Sequence, residues 1–179
     1  EAEDPKSIAQ DLVNKMVDHF LAQGFTYFDT AYPYHQGMSE VAARRALVER
    51  HPREAFALAD KMPTFLVTCP DDYPRLFSEQ LERCGVDYFD YYLLHNLGAK
   101  LYADTLQHGG FEFMQKVKAE GKAKRIGFSF HDKAELLDKI LTEHPEMEFV
   151  QLQLNYLDWD NETIQSRKCY EVKLHELHL

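Results

Sequence analysis

Residues 27–40 read YFDTAYPYHQGMSE, and this stretch decides the fold because it joins a strand, a loop and a helix start. The run FTYFDTA over 25–31 is rich in aromatic residues and threonine, which predicts a short β-strand. Ser39 predicts the N-cap of a helix that runs to about residue 50. Between strand and helix lie polar and aromatic side chains, namely Asp29, Tyr32, Tyr34 and His35. They form either a polar turn or one wall of an active site.

The same strand–loop–helix unit repeats along the chain. Before the first strand, Asp4 and Pro5 predict a helix start and Gly24 predicts the helix end. Apolar residues at helical spacing predict the buried face of this helix: Ile8, Leu12, Val13, Met16, Val17, Phe20 and Leu21. Further strands are predicted at 55–61, 88–95, 124–130 and 149–156, and further helices at 72–84, 109–120, 132–143 and 161–172.

This alternation predicts an α/β fold with a parallel sheet and right-handed crossovers. A G-x-G-x-x-G turn follows none of the predicted strands, which disfavours a dinucleotide-binding Rossmann sheet. A (β/α)8 TIM barrel is therefore the better prediction. The chain offers about five of the eight strands and 179 residues, whereas a barrel typically needs about 250. We expect residues 1–179 to form a single, partial barrel domain.

Composition narrows the class of protein. A hydrophobic content of 45% is typical of a globular chain, and a formal net charge of -10 argues against a nucleic-acid partner. No apolar run approaches the roughly 20 residues of a membrane helix, and the acidic N-terminus is not typical of a signal peptide. Cys69, Cys84 and Cys169 form no C-x-x-C pair, so neither a zinc site nor a disulfide framework is indicated. We expect a cytoplasmic protein without a metal site.

Titratable side chains stand at the ends of three successive predicted strands. Asp29 ends the first, Lys61 the second and His95 the third, while Tyr34 lies in the loop after the first. The carboxyl ends of barrel strands form the rim where catalytic residues sit. Taken singly, an Asp–Lys pair can be structural and a histidine can be a satisfied core residue. Four such residues at one rim are better explained by an active site.

The chemistry of these four residues is coherent. Lys61 beside Asp29 keeps its charge because the pair offsets desolvation. A nearby ammonium stabilises a phenolate, which makes Tyr34 a usable general acid or base. His95 can donate a hydrogen bond to a substrate oxygen. A carbonyl placed between Tyr34 and His95 is polarised and ready to accept hydride at carbon.

The motifs YFDTAYPYHQGMSE, LADKMP, YYLLHNL, IGFSFHD and VQLQLNYLD together resemble the aldo-keto reductases. The resemblance runs from about residue 8 to residue 168, and the branch it resembles most is that of bacterial reductases with an iron–sulfur segment after the barrel. In the family motif F-D-T-A-x-x-Y, the catalytic aspartate and tyrosine match Asp29 and Tyr34. The family's catalytic lysine and histidine match Lys61 and His95.

The resemblance implies a barrel that binds NADP(H) and moves hydride between nicotinamide C4 and a carbonyl compound. Tyr34 is then the general acid that acts on an aldehyde or ketone. Ser129 and Gln151 match positions that hold the nicotinamide carboxamide, and Asn155 lies near the same rim. Phe130 stands where the family expects asparagine, which departs from the pattern.

The family's first strand and its last two strands have no counterpart in the sequence, nor have the loops that grip the cofactor phosphates. We therefore expect the chain by itself to be a poor catalyst that self-associates through open sheet edges. An iron–sulfur cluster is possible only in a longer parent chain, because no C-x-x-C-x-x-C run is present.

Two alternatives come from other classes of protein. The first is a cofactor-sensing regulatory or binding subunit with this fold and little turnover. The second is a metal-dependent barrel hydrolase that uses His95 and Asp29. The second is weak, because the histidines show neither H-x-H nor H-E-x-x-H spacing.

Overall fold

Residues 7–153 are described by the structure, a computed structural model, and they contain a five-stranded parallel sheet. The strands are β1 (Tyr27–Asp29), β2 (Ala57–Met62), β3 (Phe89–Leu94), β4 (Ala123–Ser129) and β5 (Phe149–Gln151). The helices are α1 (Gln10–Ala22), α2 (Ser39–Ala43), α3 (Asp72–Cys84), α4 (Ala99–Gln107), α5 (Gly110–Ala119) and α6 (Ala134–Glu143). Single 3-10 turns cover Tyr34–Gly37, Arg53–Ala55 and Thr64–Leu66.

The order of the strands identifies the architecture. The sheet runs β1-β2-β3-β4-β5, so every strand pairs with its neighbour in the sequence and every pair is parallel. A doubly wound sheet reverses its strand order at a switch point, whereas this sheet does not. The sheet therefore winds in one direction and curls into a half-barrel with helices outside. The predicted α/β fold, an incomplete (β/α) barrel with about five of eight strands, is confirmed.

Helix α3 shows how the sequence sets an element. The Asp72 carboxylate accepts hydrogen bonds from the backbone N–H groups of Thr68 and Cys69, which supports the start of the helix. Leu76 and Phe77 pack inward, and Gly85 ends the helix in the left-handed conformation at φ 69°. The predicted bounds of this helix, 72–84, are those observed.

Several predicted elements differ from the structure. The helix predicted from Ser39 to about residue 50 ends as α2 at Ala43 and continues as a π-turn over Arg44–Val48. Ser39 is the first residue of α2 rather than its N-cap, and its hydroxyl lies 2.9 Å from that of Thr30. Helix α4 was not predicted. The predicted helix over 161–172 lies outside the described residues. The predicted helix start at 4–5 is wrong, because residues 7–9 are not helical and α1 begins at Gln10.

The buried face predicted for α1 is partly wrong. Val17 is buried, but Leu12 is 58% exposed and Met16 is 62% exposed. Periodicity shows that these residues share one side of the helix, yet it cannot show how much of that side has a packing partner. Within residues 7–153, no helix is long and apolar enough to cross a membrane.

The face of the sheet that points away from the helices is called the inner face below. It carries a layer in which large aromatic and small residues alternate from strand to strand. Tyr27, Tyr91 and Phe149 come from β1, β3 and β5, and adjacent rings meet edge to face at 5.2 and 5.4 Å between centroids. The intervening strands supply Ala59 and Gly127 at this level. A Cβ on Gly127 would lie 2.8 Å from the Phe149 ring, so only glycine fits there. Barrel layers draw side chains from alternate strands, and this layer follows that rule.

The opposite, helix-covered face is the outer face, and it holds the hydrophobic core. Leu58, Met62, Tyr92 and Leu94 are fully buried there. The Phe77 ring of α3 meets the Tyr92 ring edge to face at 4.8 Å. Glu40, Asp60 and Gln80 are also fully buried. The outer face therefore combines a dense apolar core with a group of buried polar side chains.

Candidate active site

An ion pair between neighbouring strands is the centre of the site. Lys61 is almost fully buried, and its Nζ donates to Asp29 Oδ2 at 2.5 Å and to the Thr30 carbonyl at 3.0 Å. Both side chains lie on the inner face, at the carboxyl ends of β1 and β2. A buried ammonium requires such compensation, because an unpaired charge is costly in a medium of low dielectric constant.

Tyr34 lies beside this ion pair. The Lys61 Nζ is 4.7 Å from the centroid of the Tyr34 ring, so the ammonium stands over the aromatic face. The loop that carries Tyr34 is conformationally unusual, since His35 and Gln36 adopt φ values of 50° and 52°. Non-glycine residues seldom occupy this left-handed region. The loop thus holds the Tyr34 ring, which is 40% exposed, over the inner end of β2.

His95 completes the group, directly after β3. Its ring meets the Tyr34 ring edge to face at 5.8 Å between centroids. Thr64 Oγ1 donates to the His95 carbonyl at 2.5 Å, and the His95 N–H donates to the Met62 carbonyl at 3.1 Å. Burial, with smaller contributions from Lys61 and His131, lowers the pKa of His95 to about 4. The imidazole is therefore neutral near pH 7 and has one N–H to donate.

The Nδ1 atom of His95 is buried and lacks a hydrogen-bond partner within the protein part described. Buried polar atoms are satisfied in the great majority of cases, so this ring nitrogen at the rim is available to bond a ligand. The structure thus brings Asp29, Tyr34, Lys61 and His95 together, as the sequence predicts. Their catalytic roles stay predictions.

A cavity of about 190 Å³ opens next to these four residues. It is lined by Tyr34, Lys61, Ser129, His131, Gln151, Leu152 and Gln153. Ser129 and Gln151 are neighbours in register on β4 and β5. The Asn96 N–H donates to Ser129 Oγ at 2.8 Å, and Gln151 Oε1 is buried without a partner. The predicted cofactor residues Ser129 and Gln151 therefore share a cavity with Tyr34 and Lys61.

The remaining predicted positions have different outcomes. Asn155 lies outside the described residues. Phe130, which departs from the family pattern, is fully buried and packs near Phe128 at 6.3 Å between ring centroids. It therefore belongs to the core rather than to the cavity. Tyr32, from the opening stretch, donates to Glu79 Oε1 at 3.1 Å and is a structural contact to α3.

Sequence reasoning missed His131, which lines the cavity beside Lys61 and Ser129. Burial and the Lys61 charge lower the pKa of His131, so its imidazole favours the neutral form. The signal was available, because His131 follows β4 by two residues at the same rim as the others. Across residues 7–153, no group of three or more His, Cys, Asp or Glu side chains is arranged to hold a metal ion.

A parallel half-barrel with polar side chains at the carboxyl ends of its strands is typical of (β/α)-barrel enzymes. Comparison with known proteins identifies the family. Residues 2–176 match the sequence profile of the Aldo/keto reductase family. The chain therefore belongs to the aldo/keto reductase family. A Glycine max protein described as "Probable aldo-keto reductase 1" is 28% identical over 123 residues, which are 64% of this chain and 34% of that protein.

Solved structures agree in fold. An aldo-keto reductase from Klebsiella pneumoniae in complex with NADPH superimposes with a TM-score of 0.71 at 24% identity, over 95% of this chain and 58% of that chain. The holo form of an aldo-keto reductase from Bacillus halodurans gives 0.63 at 23% identity, over 86% and 52%. The chain therefore spans a little over half the length of these structures and about a third of the Glycine max protein.

Proposed function

We propose that this chain carries the proton-transfer site of an NADP(H)-dependent oxidoreductase that reduces an aldehyde or ketone to an alcohol by hydride transfer. The observation that carries the proposal is the contact chain from Asp29 through Lys61 to Tyr34 and His95. The known complexes of relatives with NADPH and NADP support the choice of cofactor.

Tyr34 acts as the general acid. When hydride reaches the carbonyl carbon, the oxygen becomes an alkoxide, and the Tyr34 hydroxyl donates its proton to that oxygen. The tyrosinate left behind is stabilised by the Lys61 ammonium over its ring. Asp29 holds this ammonium at 2.5 Å and compensates its charge in the resting site. After proton transfer, the positive charge of Lys61 therefore lies between the negative charges of Asp29 and Tyr34.

His95 orients the carbonyl. Its neutral imidazole donates an N–H to the carbonyl oxygen while the ring stays against Tyr34. A neutral donor suits this task, because it polarises the carbonyl without competing with Tyr34 as an acid. This role requires the tautomer in which the ring nitrogen facing the carbonyl oxygen carries the proton.

The residues of the cavity fit a carboxamide. Ser129 Oγ already accepts from Asn96, so its hydroxyl proton is available for a carboxamide oxygen. Gln151 Oε1 is buried without a partner and is available to accept a carboxamide N–H. NADPH, when bound, supplies hydride from its nicotinamide ring. Ser129 and Gln151 would hold that ring at the rim next to Tyr34.

A turnover assay tests the proposal. A protein that contains residues 1–179 is mixed with NADPH or NADH and a panel of aldehydes and ketones, and absorbance at the nicotinamide band is followed. We expect consumption of NADPH in preference to NADH, and loss of turnover in Tyr34→Phe. Turnover that is unchanged in Tyr34→Phe would remove the proposed general acid.

Combined with a cofactor-binding measurement, the same assay distinguishes the proposed enzyme from the regulatory alternative. Cofactor binding measured by fluorescence, without turnover on any carbonyl, favours a cofactor-sensing subunit. Titration with NADPH and with reduced nicotinamide mononucleotide compares the two ends of the cofactor. If Ser129 and Gln151 supply most of the binding energy, the two ligands bind the chain with similar affinity.

Self-association is part of the proposal. Among the described strands, β1 and β5 are each paired on one side, which leaves an open edge at either end of the sheet. Exposed apolar side chains occur on β1, on α1 and on the segment between them: Leu12, Met16, Phe20, Phe25 and Tyr27. We expect light scattering on a sizing column to detect oligomers that grow with protein concentration. A single monomeric species throughout would contradict this.

Three further expectations stay predictions: a single domain over residues 1–179, a cytoplasmic location, and an iron–sulfur cluster only in a longer parent chain. Mass spectrometry and metal analysis of the protein purified from its source would test the last of these.

A further inference from the structure

Two buried polar residues of the outer face, Asp60 and Gln80, contact the main chain of Lys61, and a third, Glu40, contacts Gln80. The register of β1 with β2 stops at the pair Asp29–Ala59, so the backbone of Lys61 lies beyond the last paired residue of β1. Asp60 Oδ1 accepts the Lys61 N–H at 2.8 Å. Gln80 Nε2 donates to the Lys61 carbonyl at 2.9 Å. The N–H and the carbonyl of Lys61, which have no partner on β1 at this position, are therefore bonded by side chains.

Gln80 is fixed by its remaining bonds. Its amide nitrogen also donates to Glu40 Oε1 at 3.0 Å, and its oxygen accepts from the Tyr92 hydroxyl at 2.6 Å. The residue is fully buried, so water does not replace any of these partners. Both amide hydrogens are used, and the side chain has one orientation that satisfies them all.

Asp60 and Glu40 are acidic side chains close enough to influence each other. Both carboxyl groups are fully buried, and the Arg83 guanidinium pairs with Glu40. Burial, followed by the charge of Glu40, raises the pKa of Asp60 well above its ordinary value. The neutral form of Asp60 is therefore favoured, and Cys84 Sγ donates to its Oδ2 at 3.6 Å. A neutral Asp60 still offers Oδ1 as the acceptor for the Lys61 N–H.

We propose that Asp60, Gln80 and Glu40 form a positioning group for Lys61, because they fix its main chain so that the ammonium reaches Asp29 and stands over Tyr34. The inference rests on the proposed role of Lys61. Asp60 and Gln80 act directly on the peptide groups, and Glu40 acts through Gln80. None of the three contacts the reacting atoms, so they are positioning residues and not catalytic ones.

The test is nuclear magnetic resonance on the isotopically labelled chain. The Lys61 Nζ lies 4.7 Å from the centroid of the Tyr34 ring, so we expect the adjacent ε-methylene protons to show an upfield ring-current shift, and Lys61→Arg assigns the signal. In Gln80→Met we expect most of this shift to be lost. Tyr92→Phe is the matched control, because it removes a bond to Gln80 but keeps the bond from Gln80 to Lys61. We expect the shift to survive in the control.

A second pair of variants tests Asp60. Asp60→Ala removes the acceptor, and we expect the Lys61 amide proton to exchange about tenfold faster. Asp60→Asn keeps an oxygen at Oδ1 and is uncharged like the protonated acid, so the amide should stay protected. If Asp60→Ala does not fold, Gln80→Met and Asp60→Asn still decide the question. Loss of protection in Asp60→Asn would overturn the role of Asp60.

The inference fails if the ring-current shift is absent in the wild type, persists in Gln80→Met or is lost equally in Tyr92→Phe. The last result would indicate general packing damage rather than positioning. Where the wild type turns over, Gln80→Met should lower kcat about tenfold while KM for the cofactor stays nearly constant. If a longer protein that contains residues 1–179 binds the cofactor but reduces no carbonyl compound, the proposed function is rejected, and the Lys61 signals still decide the positioning role.

Discussion

Asp60 and Lys61 are consecutive residues of β2, yet they belong to two different environments. Lys61 points to the inner face, where its ammonium meets a carboxylate and an aromatic ring beside an open cavity. Asp60 points to the outer face and is sealed between the sheet and α3, with Cys84 beside it. The alternation of side chains along a strand is enough to produce this separation.

The comparison shows how the two faces divide their tasks. On the outer face behind Lys61, Glu40, Asp60 and Gln80 are fully buried and bond one another or the main chain, so these polar residues fix geometry. On the inner face, His95 and Gln151 keep buried polar atoms without protein partners, so they remain available for binding. We therefore expect inner-face substitutions to change chemistry, and substitutions in the apolar core of the outer face to change stability.

The largest expected effect is on the inner face. Tyr34→Phe should lower kcat by about 10²–10⁴-fold, because the general acid is lost, with cofactor affinity spared. Lys61→Met should be similarly severe and should also leave Asp29 without its partner. Steady-state kinetics with a cofactor titration measures both. A Tyr34→Phe enzyme with nearly normal kcat would contradict the division, provided that circular dichroism shows an intact fold.

An outer-face substitution should act on stability. Leu58→Ala removes a fully buried side chain, and we expect a loss of about 2–5 kcal/mol in the free energy of unfolding. Leu106→Ala, at a residue that is 48% exposed on α4, is the matched control and should cost less than about 0.5 kcal/mol. Urea denaturation compares the two variants. Equal losses would show that the outer face is not the main source of stability.

A smaller effect is expected in the cavity. Ser129→Ala and Gln151→Ala should each raise the apparent KM for the cofactor about fivefold and change kcat less, since each removes one hydrogen bond of order 1 kcal/mol. Titration of cofactor at saturating carbonyl measures the split. A structure with bound NADP that places the carboxamide away from both side chains would refute the assignment.

The last expected effect concerns the pH dependence of stability. The folded pKa of His95 is about 4, below its ordinary value of 6.5, so the unfolded state binds the proton more readily between these values. This residue's contribution to stability is therefore present above pH 6.5 and is lost as the pH falls through about 4.

The measurement is the difference between the wild type and His95→Gln, because buried or paired carboxylates also affect the absolute profile. His95→Gln should flatten the fall in unfolding free energy between pH 6.5 and 4. His19→Gln, on the exposed surface of α1, is the control. A wild-type profile no steeper than that of His95→Gln would contradict the buried, neutral imidazole.

Much of the sheet and the rim was predictable from the sequence. Strand patterns and helix ends such as Gly85 placed the strands, and side chains at strand ends converge by topology alone, so Asp29, Lys61 and His95 could be grouped. Helix α4 was missed because only two of its residues, Tyr102 and Thr105, are buried, so its apolar signal is weak. The break after Ala43 depends on packing that no local pattern reports.

The positioning group was also beyond the sequence. Glu40 and Gln80 are polar residues in helices, and such residues are usually exposed. Only the three-dimensional structure shows both of them fully buried behind Lys61. His131 is a different case, since its position after β4 gave a usable signal that depends on knowing where the strand ends.

In the aromatic layer of the inner face, the side-chain size tolerated at one position depends on residues that are far away in the sequence. Gly127 leaves no space for a methyl group, because the Phe149 backbone and ring occupy it. A descendant that enlarges residue 127 must shrink or displace Phe149, and a smaller Phe149 loosens Tyr91 in turn. We expect homologous chains to show compensating changes at positions 91, 127 and 149, so that large and small side chains keep alternating around the curl.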